Sequence, residues 1–498
     1  MISRVSSVLA AVAIAVSCAA GPAAAAAELT KDRIEALIQR FEKTRPANFL
    51  AFVEAVKHKG GDPALANLSG LPENKNQVDL YRVLGVYARL KYENDMIETL
   101  RSLVAIPTVK DEAVPQHESP HTIAFGKAVE AVAKRFGLEY RNVGNRIFEV
   151  TLAGKSDDAV GVFTHGDVVP ADPAKWVLTD GTKLDPFKLT EIEGRLYGRG
   201  THDDKGSITA ALFAMAAIKE SGIRLNKTIR LMIETTEETG GSGVEYYKER
   251  HKLPPYNIVL DGRYPVGVAE KGFGVVLAKF PVREGSGAGA TIVAMTGGRV
   301  LNKIPGEARA VIESRGPRKL KRVLDAEAAA YVKGNGGNFR MKIEIENNRV
   351  ILTVLGEAAH SASPHRGVNP LTRLFGFLHE MRAKVPLNRN HFTDAADYAD
   401  ANWGLDDYGA KLGIAYKDPF MGPLTAAMTY LKVKDGALHL VVNPRAPRGK
   451  EPEQLIKEIR RNLGTWRKRT GVDVVFDIKI KRYMYRDPKG PWIETLLD

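Results

Sequence analysis

Three short apolar runs restrict this chain to few folds. Val160 to Thr164, Thr228 to Thr236 and Asn257 to Leu260 read as strands, and a mostly apolar helix-like run, Ser207 to Ile218, separates the first two. Strands alternating with helices specify an open α/β sheet, and such sheets place their sites at the carboxyl ends of strands. Those ends are polar here. The first run leads into His165-Gly166-Asp167-Val168-Val169, the second into Glu237-Glu238-Thr239-Gly240-Gly241, and the third into Asp261. The stretch Tyr197 to Gly206, just before the helix, adds His202, Asp203, Asp204 and three glycines.

Each of these features has an ordinary structural reading. Aspartate caps helices, a Glu-Glu pair usually occupies a solvated turn, and a lone histidine after a strand is more often structural. Collected on one sheet edge, they supply an imidazole and several carboxylates, and adjacent carboxylates persist only when a cation neutralises them. The sole cysteine, Cys18, lies in the N-terminal leader, so a metal would rest on His, Asp and Glu. Such ligands suit one or two divalent ions, zinc first among them.

A length of 498 residues implies two or three domains. The net charge of +13 admits nucleic acid, an anionic envelope surface or anionic substrates. No RNA-binding signature and no zinc-finger spacing occur, which argues against nucleic acid. The basic clusters Arg315 to Arg322 and Arg460 to Arg469 read as solvated faces. Residues 1–27 read as a signal peptide, with Arg4, an apolar core Val8 to Val16 and small residues to Ala27. That core is too short to span a membrane, and no other stretch reaches transmembrane length. A periplasmic or secreted protein is expected. A lipoprotein anchored at Cys18 is the alternative, although Ala15-Val16-Ser17 lacks the usual leucine.

Residues 28–95 read as a helical N-terminal extension, with amphipathic runs to Phe41 and from Val78 to Tyr92 separated by Gly60-Gly61-Asp62-Pro63 and Gly70-Leu71-Pro72. Further helices are expected over Met96 to Val104 and Ile123 to Phe136, and a strand over Arg146 to Leu152. After Lys271 strands are expected at Phe273 to Val282, Ala308 to Ser314, Lys342 to Leu355 and Val472 to Ile480, with helices at Leu320 to Val332 and Pro452 to Thr470. This texture indicates a separate α+β domain inserted into the first. Asn388 to Tyr416 is polar and without pattern.

Taken together, His165 to Val169, Gly198 to Gly206, Glu237 to Gly243, Asp261 before Tyr264-Pro265-Val266, and Glu270-Lys271-Gly272 resemble the dizinc metallopeptidases. That family includes carnosinase-like dipeptidases, glutamate carboxypeptidase and the amino-acid deacylases. The resemblance continues through Ala359-His360-Ser361-Ala362-Ser363-Pro364, Gly367-Val368-Asn369-Pro370 and Asn443-Pro444-Arg445, in family order over most of residues 95–498. Asp-Asp-Lys-Gly at 203–206 looks more like the dipeptidase branch than the deacylases.

The resemblance implies an α/β fold: a zinc-peptidase catalytic domain with an open mixed sheet flanked by helices, plus an inserted α+β lid and dimerisation domain. Its boundaries are 96–270 for the first part of the catalytic domain, 271–482 for the lid, and 483–498 for the start of a returning catalytic segment. It implies two zinc ions, with Mn or Co able to replace them. His165 and Asp261 would bind one ion, Glu238 the other, and Asp203 both. Asp167 would hydrogen-bond the His165 ring, and Glu237 would act as general base and then general acid. His360 would stabilise the oxyanion, Arg445 would pair with a substrate carboxylate, and Asn302 would assist binding. His202 carries no role from the resemblance, and Asp204 would support its loop. The substrate would be a short peptide with a free C-terminal carboxylate, and two copies would pair through the lid.

One departure stands out. The family takes its last metal ligand, a histidine, from a C-terminal segment, but no histidine follows His439, which sits in a strand-like run. The chain stops at Trp492 to Asp498 inside a helix-like stretch. The expectation is therefore a fragment whose second zinc lacks one protein ligand and whose activity is reduced. Two alternatives stay open: an N-acyl amino acid deacylase or carboxypeptidase of the same family, and a metal-binding protein without turnover.

Overall fold

The computed structural model describes residues 31–44, 46–59, 77–262 and 265–497. The leader expected over 1–27 with Cys18, and the breakers at 60–63 and 70–72, lie outside the described residues. The chain divides into two compact units, one running to Gly267 and taking up Asp487–Asp498, the other Val268–Arg486.

The first unit begins with α1 (Lys31–Phe41), α2 (Phe49–Lys59) and α3 (Gln77–Val104). Where two helices were expected, at Val78 to Tyr92 and Met96 to Val104, α3 is a single helix of 28 residues. Glu93-Asn94-Asp95 contains neither glycine nor proline to stop it, and Leu100, Leu103 and Val104 continue its buried face. Phe49 and Phe52 of α2 pack on the Tyr87 ring of α3. Then follow α4 (Pro120–Arg135), β1 (Glu139–Val143), β2 (Ile147–Leu152), β3 (Ser156–His165), α5 (Lys205–Ser221), β4 (Lys227–Glu234), α6 (Ser242–Lys248) and β5 (Tyr256–Val259). The sheet order is β1-β2-β4-β3-β5. β1 and β2 pair antiparallel, as do β2 and β4, whereas β3 is parallel to both β4 and β5. In this register His165 stands opposite Glu234 and Phe163 opposite Val259, so the polar strand ends come to one edge. β1 was not foreseen because it is a polar strand with only Val143 buried.

The second unit is an antiparallel sheet of β6 (Gly272–Pro281), β7 (Thr291–Arg299), β8 (Glu307–Glu313), β9 (Arg340–Glu346), β10 (Arg349–Leu355), β11 (Thr425–Lys434), β12 (Ala437–Ala446) and β13 (Val475–Ile480). Its helices are α7 (Pro317–Gly334), α8 (Pro370–Met381), α9 (His391–Asn402) and α10 (Pro452–Thr470). The strand expected over Lys342 to Leu355 is two, because Asn347 and Asn348 both take positive φ (47° and 61°) and close a tight hairpin. α9 lies in the stretch that showed no pattern. Asn390 and Thr393 form a capping box for it, and Phe392, Ala395, Tyr398 and Ala399 bury one face.

The sheet order β9-β10-β8-β7-β11-β12-β6-β13 consists of two matching halves that meet at β7–β11. α7 joins β8 to β9 as α10 joins β12 to β13. β7 carries a bulge between Ile292 and Ala294 against β8, and β11 carries one between Met428 and Tyr430 against β12. The two buried asparagine caps reach across the join. Asn369 Nδ2, at the start of α8, donates to Met428 O in β11, and Asn390 Nδ2, at the start of α9, donates to Ile292 O in β7, both at 2.8 Å.

Candidate active site

At the sheet edge of the first unit, His165 is 1% exposed. Its Nδ1–H donates to the Asp167 carbonyl oxygen at 2.9 Å, which turns Nε2 towards Asp203 Oδ1 at 2.8 Å and Asp261 Oδ2 at 3.7 Å. One ligand atom from each of His165, Asp203 and Asp261 lies within 4.8 Å of the others. A backbone carbonyl fixing one ring nitrogen while the other faces carboxylates is the usual support for a metal-binding histidine. Electrostatics agree. Burial disfavours a charged ring, yet Asp167 and Asp203 override it and push His165 up to about 12. Lost hydration, then the charge of Asp203, raises Glu238 to about 7. Glu237 reaches solvent, but the partial loss of water around it and the charges of Asp261, Asp167 and Asp203 lift it above the ordinary carboxylate value. A crowd of acids that raise one another in this way fits a resident cation.

Asp167 is buried and does more than face the ring. Its Oδ1 accepts the Glu237 N–H at 3.1 Å and its Oδ2 the Glu238 N–H at 3.0 Å, while Oδ1 is 3.4 Å from His165 Nδ1. His202 is exposed. Asp204 is fully buried, accepts the Thr164 hydroxyl, and is lifted to about 7 by burial; the peptide between Asp203 and Asp204 is cis. Lys205, also fully buried, donates from Nζ to Leu103 O at 2.9 Å and Ile106 O at 2.6 Å. It thereby caps the carbonyl end of α3 and anchors the Asp203 loop there. Sequence reasoning passed over Lys205 and Glu234. Both carried a readable signal: a lysine at a helix start opposes the helix dipole, and Glu234 is a charge inside an apolar strand run.

The second unit brings His360, Ser361, Asn443 and Arg445 together. His360 pairs with Lys303 across a short ladder, and its Nδ1 accepts the Ala362 N–H at 3.1 Å, leaving Nε2 as the donor of the neutral ring. Lost hydration and then the Arg445 charge lower its pKa and favour that neutral form. Arg445 is 8% exposed and lies over the Phe273 ring at 4.8 Å. Its Nε donates to Asn443 Oδ1 at 3.2 Å and Ser361 Oγ at 3.4 Å, and the Ser361 hydroxyl donates to Asn443 Oδ1 at 2.6 Å. Among the described residues, no carboxylate lies within ion-pair distance of Arg445, and the charge of Glu270 acts on it only through space. Asn302 contributes through its backbone, whose carbonyl accepts the Ser361 N–H at 2.9 Å. Among the described residues, no helix is long and apolar enough to cross a membrane.

The sequence profile described as Peptidase family M20/M25/M40 matches residues 161–483. A Beta-Ala-Xaa dipeptidase of Lactobacillus delbrueckii subsp. lactis is 30% identical over 375 residues, spanning 73% of this chain and 74% of that protein. Among solved structures, human carnosine dipeptidase 1 covers 80% of each chain at 15% identity with a TM-score of 0.43. The di-peptidase Dug1p from Saccharomyces cerevisiae covers 81% of this chain and 80% of its own at 14% identity with a TM-score of 0.42.

Proposed function

Because the chain belongs to peptidase family M20/M25/M40, a family of metal-dependent hydrolases, we propose that it is an exported dipeptidase acting on short peptides with a free C-terminal carboxylate. The observation that carries the reading is the convergence of His165, Asp203 and Asp261 beside the Glu237–Glu238 turn. His165, Asp203, Asp261 and Glu238 would hold zinc, or Mn or Co in its place. When bound, the metal supplies Lewis-acid activation of water and of the scissile carbonyl. The remaining roles belong to side chains. Glu237, raised above an ordinary carboxylate, takes the proton of the attacking water and returns it to the leaving amine nitrogen. The Nε2–H of neutral His360 donates to the developing oxyanion, and Arg445 receives the substrate carboxylate. The last two assignments rest on the motif match and on local geometry within the second unit.

The relative that carries the name Beta-Ala-Xaa dipeptidase supports a dipeptide substrate. The test is metal content together with hydrolysis of a dipeptide panel, with and without Glu237→Ala. Turnover should fall by roughly 10²- to 10⁴-fold, and an undiminished rate would overturn the assignment of the base. A parallel panel of N-acyl amino acids separates the deacylase reading, since Arg445 suits either carboxylate. Export is read by fractionating cells that express the whole chain, and pairing of two copies through residues 271–482 by light scattering.

A further inference from the structure

We propose that Glu234 is a positioning residue: with Asp167 it forms a frame of two buried carboxylates that grips the Glu237–Glu238 turn from both sides and sets where those two side chains point. The inference rests on the roles given above to Glu237 and Glu238. Adjacent residues with different tasks, one moving a proton and one holding a metal, must each be held in a fixed direction against mutual repulsion. A free turn would let them splay.

The frame is explicit in the hydrogen bonds. Asp167, 3% exposed, accepts the amides of Glu237 and Glu238 on one side. On the other, Glu234, 6% exposed, accepts the Thr236 hydroxyl at 3.0 Å and the Gly243 N–H at 2.8 Å through Oε1. Thr236 closes the turn by accepting the Gly241 N–H at 2.7 Å on its carbonyl. Glu234 also reaches the histidine segment, because its own carbonyl accepts the N–H of Gly166, between His165 and Asp167, at 2.7 Å. One residue thus ties the two ligand-bearing strand ends together. Charge-assisted bonds to buried carboxylates are about twice as strong as neutral ones, which suits a frame that must resist repulsion.

The glycines of Glu-Glu-Thr-Gly-Gly-Ser-Gly fit this reading. Gly240 and Gly241 take φ of 121° and 72°, open to glycine at little cost. Gly243 admits Glu234 itself: a Cβ there would stand 2.9 Å from Glu234 Oε1 and 2.8 Å from Arg146 O.

The experiment compares Glu234→Ala, Glu234→Gln and Thr236→Val with the wild-type protein. In the metal-free protein, amide hydrogen exchange of residues 235–243 should accelerate in Glu234→Ala and Thr236→Val, and return towards wild type in Glu234→Gln, which keeps an oxygen acceptor. Affinity for added Zn²⁺ should weaken by about 10- to 100-fold in Glu234→Ala. On a dipeptide, its kcat should fall by about 10²-fold, with KM changed less than about threefold. A merely structural role predicts a lower melting temperature with unchanged exchange at 235–243 relative to neighbouring segments, unchanged Zn²⁺ affinity and normal kcat in the folded fraction; that result overturns the proposal. Should Glu234→Ala not fold, the same exchange and Zn²⁺ readouts on Thr236→Val and Glu234→Gln decide. If the wild-type protein hydrolyses no dipeptide, the proposed function fails, while exchange and Zn²⁺ affinity still decide the role of Glu234.

Discussion

Replacing Arg445 by alanine should erase the preference for a free carboxylate and leave the fold intact. The guanidinium is nearly buried, its Nε is spent on Asn443 and Ser361, and no described carboxylate pairs with it. Both terminal nitrogens are therefore available for a planar, two-point contact. Each charge-assisted bond contributes roughly 1.5–3 kcal/mol. These figures are already net of dehydration, so two such bonds come to about 3–5 kcal/mol, within the range for truncating one partner of a buried charge pair. At about 1.4 kcal/mol per factor of ten, that is roughly 10²- to 10³-fold or somewhat more in kcat/KM. The assay is steady-state hydrolysis of one dipeptide and of the same dipeptide bearing a C-terminal amide. The wild-type protein should favour the acid by that factor. Arg445→Ala should bring the acid down to the amide's rate and leave the amide within about threefold. Arg445→Lys should recover only part, since a lysine offers charge without the fork. No carboxylate lies within ion-pair distance of Arg445, Glu270 acting on it only through space, and Asn443 Oδ1 keeps the Ser361 hydroxyl, so the melting temperature should fall little. Equal losses on acid and amide would refute the reasoning and make Arg445 a packing residue.

Three further outcomes follow from other parts of the molecule. Glu149 is 4% exposed and receives Arg141, Arg230 and the Tyr247 hydroxyl at 2.6, 2.7 and 2.6 Å. Glu149→Gln should cost about 3 kcal/mol in denaturant unfolding, the low end for a broken buried pair because Arg141 is half exposed. Burial pushes this carboxyl up, but Arg230 and Tyr247 outweigh it and hold its folded pKa below the ordinary value. Its stabilisation is thus present above the unfolded pKa and lost as pH falls through the folded one, so wild type and Glu149→Gln should converge on acidification. Asn369→Ala and Asn390→Ala should each cost about 2 kcal/mol, one for the helix cap and one for the bulge carbonyl left without its donor; strongly unequal losses in chemical denaturation would contradict the matched halves. Chelation should abolish dipeptide hydrolysis and lower the melting temperature, and added Zn²⁺ at about 100 times its Kd should restore about 2.7 kcal/mol.

The sheet edge of the first unit was legible because buried parallel strands read as apolar runs and their polar ends stand out against them. An imidazole and several carboxylates could be grouped before any coordinate was known, and the family resemblance singled out His165, Asp203 and Asp261 among them. What connects them could not. Asp167 accepts the amides of Glu237 and Glu238 across about seventy residues of sequence, and no periodicity encodes a side chain meeting a distant backbone. The second unit was harder to read. β7 is interrupted by a bulge and by Gly297-Gly298, which breaks the alternation that marks a strand. α9 buries Asn390, Thr393, Asp394 and Asn402 along with its apolar residues, so its inward face looks like a loop on paper. The Asn347-Asn348 turn was readable, but a run of β-formers on both sides masked it.

The matched halves of the second unit are not threaded alike. In one, the chain runs from β10 through the His360 segment into α8 without a break, with Glu357 bridging Val368. In the other, the equivalent path is cut: the chain leaves after β6, builds the entire first half, and returns to begin α9, with Ser286 bridging Arg389 where the uncut half has Glu357 and Val368. Where the first half turns at Asn347-Asn348, the second has the chain's way in and out, with Arg486 N–H donating to Val268 O and Ile480 facing Gly274. The element orders of the two halves are thus related by a circular permutation. A protein engineer inherits two interchangeable doorways, one in use and one closed by a two-residue turn, and opening the turn at Asn347-Asn348 is the place to graft the unit onto another scaffold while the His360 segment stays uncut.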